Sequence, residues 1–105
     1  MTIVNAMIRS VMLGREDAGV LTCWVSLEYG DGSVQGFGGT SLYNERCNKD
    51  VAGRFIWRLL DICGVDDWSK IRGIPVRVRL ENDKAVALGH FMKEEWLNIV
   101  ELMSA

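Results

Sequence analysis

Five consecutive residues, Gln35-Gly36-Phe37-Gly38-Gly39, set three glycines and one aromatic ring into a stretch that otherwise patterns as β-strand. Glycine weakens a strand interior, so it marks a bulge, a bend, or a place where a ligand or another backbone comes close. Two readings follow. In the first, the bare main chain is a ligand surface: Phe37 stacks on the ligand, Gln35 reads its polar edges, and the uncovered amides of Gly36, Gly38 and Gly39 hold a phosphate. In the second, the glycines only bend the strand, and Phe37 enters the core. The run has neither the Lys-Ser/Thr pair of a Walker motif nor the spacing of a dinucleotide fingerprint.

Arg77 and Arg79 stand two apart on one strand face, with Lys84 across a short hairpin. Guanidinium forks suit phosphate and carboxylate, so the pair is a candidate anion clamp; the alternative is a sheet edge kept soluble by charge. Trp24 falls on the strand face opposite the apolar set. It is either an interface anchor or a residue covered by the closing helix through Trp96. Arg54 and Arg58, one helical turn apart, read as the wet face of a helix. His90 is the single histidine, and no Ser, Cys or Asp lies close in sequence to suggest a triad. Carboxylates such as Glu16, Asp61 and Glu94 are scattered without a paired spacing. No catalytic residue, metal ligand set or cofactor is expected, because nothing convergent is on offer.

The elements that must position these residues follow from periodicity. Asn5 to Leu13 reads as a first strand, and Gly14 to Gly19, including Asp17 and Ala18, as a polar turn. Leu21, Cys23, Val25, Leu27 and Tyr29 alternate with Thr22, Trp24, Ser26 and Glu28, the mark of a half-buried antiparallel strand. Gly30-Asp31-Gly32-Ser33 is a hairpin signal, so the third strand, Val34 to Leu42, runs back beside the second. After a polar connection over 43–50, Asn48 or Asp50 caps a helix from Val51 to Cys63, with Gly64 as its left-handed C-cap. Asp66 caps a short turn through Trp68 to Lys70. Pro75 opens a fourth strand, Glu81-Asn82-Asp83 turns it, and Lys84 to Phe91 forms a fifth. A closing helix spans about Lys93 to Met103. The expected fold is therefore α+β: a bent antiparallel sheet of about five strands in the order β-β-β-α-β-β-α, with one main helix packed on it and a short C-terminal helix. A small, partly closed barrel is the alternative architecture.

With 105 residues, 49% of them hydrophobic, the chain has the mass for one domain spanning 1–105 and closes one core. Net charge is −2 without like-charge blocks, which argues against a nucleic-acid backbone as partner. No apolar run approaches the ~20 residues of a membrane span, and Thr2, Asn5 and Arg9 interrupt any signal-peptide pattern. The odd cysteine count, with Cys23 and Cys63 on apolar faces, fits buried thiols in a reducing cytoplasm.

The chain resembles a group of small proteins encoded by tailed bacteriophages and prophages. The likeness is carried by Met12-Leu13-Gly14, Gly19-Val20-Leu21-Thr22, Gln35-Gly36-Phe37-Gly38-Gly39, Gly64-Val65 with Trp68, Val76-Arg77-Val78, and Gly89-His90. It departs from that pattern at Ala18, where a histidine often precedes the glycine. The resemblance implies a viral context without an activity. In that context the expected role is a non-enzymatic accessory protein, homo-oligomeric and cytoplasmic in the host bacterial cell, that counters host defence by binding. One version sequesters a small nucleotide signal against Gln35 to Gly39, Arg77 and Arg79. Another is a protein–protein inhibitor that docks Trp24 on a host defence enzyme. A nucleic-acid module of a replication or recombination cassette is the third.

Overall fold

A computed structural model of the chain describes residues 2–16, 19–44 and 47–104. Its second strand, β2 (Leu21–Tyr29), shows the alternation that its sequence encodes: Cys23, Val25 and Leu27 are buried, whereas Trp24 and Glu28 are exposed. The strand before it, β1 (Thr2–Arg15), is longer than the sequence implies. It serves two neighbours. Ala6 to Arg15 pairs with β2, and Thr2 to Met7 pairs with β6 (Pro75–Glu81), all antiparallel. A register shift between Ile8 and Ser10 leaves Arg9 as a bulge, which lets one strand turn from one partner to the other.

The third strand, β3 (Val34–Gly38), returns from the expected hairpin but stops four residues short of the expected Leu42. Gly38 and Gly39 take φ of +106° and +73°, a left-handed region that side chains disfavour. The chain turns there, and two short strands follow where a plain connection was expected: β4 (Tyr43–Asn44) and β5 (Cys47–Asp50). β3 and β4 thus share one edge of β2, with the glycine corner between them.

Helix α1 (Ala52–Cys63) buries Phe55, Leu59, Ile62 and Cys63 against the sheet and ends at Gly64, whose φ is +68°. Asp50 accepts the Ala52 N–H at 3.2 Å, and the Asn48 side chain lies outside the described residues. The following turn, Trp68–Lys70, is capped by Asp67 rather than Asp66: its carboxylate accepts from the Ser69 amide at 2.8 Å. β6 and β7 (Lys84–His90) form the second hairpin, turning at Asn82 and Asp83 with φ of +50° and +62°.

The expected helix over Lys93 to Met103 needs correction. Trp96–Asn98 is a strand, β8, paired with Gly89 to Ala87, and only Ile99–Ser104 is helical, as α2. The Asn98 side chain accepts the Glu101 N–H at 3.1 Å, so the helix starts there. The result is an α+β fold with one antiparallel sheet. It holds eight strands among the described residues, rather than about five, in the order β5-β4-β2-β1-β6-β7-β8 with β3 also on β2. Gln35 on β3 donates to the Asp83 carbonyl in the β6–β7 turn at 2.8 Å, so the sheet curls toward itself over α1. The expected turn at Asp17 and Ala18 lies outside the described residues. Among the described residues, no helix is long and apolar enough to cross a membrane.

Candidate binding groove

The glycine motif is filled by the chain itself. Phe37 is 1% exposed and belongs to the core, so its ring is not a stacking platform. Gln35 is engaged at both ends of its amide: Oε1 accepts from the Tyr29 hydroxyl at 2.6 Å while Nε2 serves the Asp83 carbonyl. That leaves no free polar reader. A Cβ on Gly36 would stand 3.1 Å from the Trp24 ring, and one on Gly39 would fall inside that ring. The Gly39 amide donates to the Cys23 carbonyl at 2.8 Å, and Gly36 and Gly38 sit in the β2–β3 ladder. The missing side chains make room for Trp24, whose Nε1 donates to Glu16 at 2.8 Å. Trp24 remains 40% exposed on its outer side.

Arg77 and Arg79 do not join the glycines. β6 is separated from β2 by β1, and the two guanidinium groups converge instead on the Trp96 indole, 4.9 and 4.3 Å from its ring centroid. Arg77 is already engaged at Nε and Nη2. Its Nε donates to the His90 carbonyl at 2.9 Å, and its Nη2 to the Lys93 carbonyl at 2.7 Å and to Glu94 at 2.9 Å. The Arg77 hydrogen bond is the main reason the Glu94 carboxyl is held below its ordinary range. Arg79 Nε is buried without a hydrogen-bond partner among the described residues. Gly89 explains the seat of the indole: a Cβ there would lie 2.7 Å from the Trp96 ring. The pair is thus a stack that pins β8, and not an open clamp.

Among the described residues, an exposed aromatic and a cation without a partner stand together on α1 instead. Trp57 on α1 is 73% exposed, and with Trp96 it lines a groove of about 510 Å³. Gly53 and Arg54, one turn earlier on the same helix, line the groove with it; Asn98 and Glu101 line the other wall. A Cβ at Gly53 would meet nothing within 4 Å, so the backbone there is open to approach. Arg54 makes no hydrogen bond or ion pair among the described residues. Arg58 holds the walls together by donating from Nε to the Trp96 carbonyl at 3.2 Å and pairing with Asp61 at 3.4 Å. No protein-family model and no curated protein matches this chain.

The groove was within reach of sequence reasoning. Trp57 shares the polar face of α1 with Arg54 and Arg58, and a large aromatic on a wet helix face is the informative kind of exposure. Of the other candidates, His90 closes a local turn: its Nδ1 accepts the amides of Met92 and Lys93, each at 3.0 Å. Cys23 and Cys63 are buried free thiols, and burial pushes their pKa up to about 11 and about 12. The Cys47 side chain lies outside the described residues. A second cavity, about 480 Å³, opens between Asn5, Tyr29 and Asp83, and its Asp31 carboxylate is already held by Ser33 at 2.6 Å.

Proposed function

We propose that the chain is a binding protein that captures a small nucleotide-like anion in the groove between α1 and β8–α2, without transforming it. The observation that carries this reading is the pairing of an exposed Trp57 with an Arg54 that has no partner among the described residues, along a groove of about 510 Å³. That volume falls in the range of ~300–1,000 Å³ typical of small-ligand sites. A base stacks on Trp57, a contact that contributes about 1–3 kcal/mol in single-strand binders. Phosphate meets the Arg54 guanidinium and the bare Gly53 backbone, while Asn98 and Glu101 face the polar edge of the base. The same recipe was expected from Phe37, Arg77 and Arg79; here it is assigned to residues that are free. In the phage setting that the resemblance implies, such a binder removes a host defence signal from the cytoplasm by sequestration.

The test is a thermal-shift and tryptophan-fluorescence titration with mono-, di- and cyclic nucleotides. Saturation near 100 times the dissociation constant adds about 2.7 kcal/mol to the folded state. Trp57→Ala and Arg54→Ala each abolish the shift while leaving the unliganded melting temperature within a few degrees, since both side chains are exposed. A panel in which no nucleotide moves the melting temperature defeats the reading.

A further inference from the structure

The sheet has two faces; among the described residues α1 covers one, while on the other the Trp96 stack over Arg77 and Arg79 covers only the end toward β8. α1 packs on the side that buries Ile8, Val25, Leu27, Val76 and Val78. On the opposite side, the strand register sets Val34, Glu28, Met7 and Pro75 in one cross-strand row. Gly38, Trp24 and Met12 form a second row, and Gly36, Ser26 and Ser10 lie between the two. Val34, Met7, Met12 and Trp24, with Ile3 farther along β1, are each 40–50% exposed. A sheet face turned to water carries mainly polar side chains, so paired apolar rows on that face mark a contact surface.

We propose that a second copy of this chain covers this face, making the protein a face-to-face homodimer. A two-fold interface must be complementary to itself, and this one is laid out that way. A two-fold axis through the small central row of Gly36, Ser26 and Ser10 brings the Met7 row of each protomer onto the Trp24–Met12 row of its partner. The charges agree. Arg9, displaced by the bulge beside Ser10, and Glu28, beside Met7, are both exposed, opposite in sign and without an ion-pair partner among the described residues. A face of balanced sign fits its own copy better than it fits a phosphate backbone, which demands uniform positive charge. The extent also suits. From Ile3 to Met12, β1 runs about 30 Å, and the four strands β3, β2, β1 and β6 span at most roughly 19 Å, a footprint of about 570 Å² per partner that suits a weak, concentration-dependent dimer. None of these residues lines the α1 groove, so the dimer stands or falls independently of the ligand reading.

Sedimentation velocity on the purified chain, from micromolar to hundreds of micromolar, reads the outcome. The expected mass is twice 11.8 kDa. Met7→Lys and Met12→Lys each weaken association by at least about tenfold with unchanged circular dichroism, because both side chains are exposed in the monomer. Arg9→Glu and Glu28→Arg each weaken it alone, and combining them restores it, a rescue that a merely structural role does not produce. A wild-type chain that stays at 11.8 kDa throughout overturns the proposal. So does a dimer indifferent to both lysines, or a face occupied only by a co-purifying host protein.

Discussion

Gly38 and Phe37 are neighbours with opposite duties, and substitution separates them. An alanine methyl at Gly38 would sit against the Cys23 carbonyl oxygen at φ +106°, so Gly38→Ala forces the β3 corner to move and costs ~1–3 kcal/mol. Phe37→Ala empties a ring-sized volume from the core and costs about 3–5 kcal/mol. Urea unfolding of both variants checks the order; a Phe37→Ala chain as stable as wild type would put the ring back on the surface. The buried thiols add a pH dependence. Cys23 and Cys63 are raised from an ordinary 9.0 to about 11 and about 12, so their contribution is whole below pH 9 and fades as pH climbs through that window. Replacing both with alanine flattens the alkaline limb of the stability curve, as chemical denaturation at stepped pH will show. What the sequence made visible here was the oddity of the glycines. Their purpose was hidden because the Trp24 ring that fills them comes from another strand.

Strand β2, its hairpin and α1 were legible because their signals are local: period-two alternation, an Asp-Gly turn, an apolar stripe closed by a left-handed glycine. The end of the chain was not. Trp96, Ile99, Val100 and Met103 share a helical face on paper, yet Gly89 offers Trp96 a bare seat on β7 and draws Trp96–Asn98 into the sheet. Long-range pairing overrides local pattern there. A consequence is that α2 depends on Asn98 for its start. Asn98→Ala is expected to cost about 1 kcal/mol, the usual worth of a helix N-cap. Hydrogen exchange should localise that loss to Ile99–Ser104 and leave α1 protected. Equal exchange in Asn98→Ala and wild type would mean the cap contributes nothing.

The α+β class of the molecule was readable from the order of its elements, but not the curl of its sheet. That curvature rests on β1 changing neighbours at the Arg9 bulge and on Gln35 reaching Asp83, contacts between residues far apart in sequence. The two surfaces argued above divide along the same geometry. The covered face carries the helix whose outer side forms the groove, and the bare face carries the rows that a partner copy would hide.

The shared strand also sets a timetable. During translation, Leu21–Tyr29 emerges soon enough to zip onto the second half of β1, but Thr2 to Met7 must wait for Pro75–Glu81. Until Pro75–Glu81 has left the ribosome, one flank of the nascent meander stands open, an invitation to neighbouring nascent chains. Slow closure of that long loop, rather than formation of the early hairpin, is then the step at which misassembly begins and at which holdase chaperones help most.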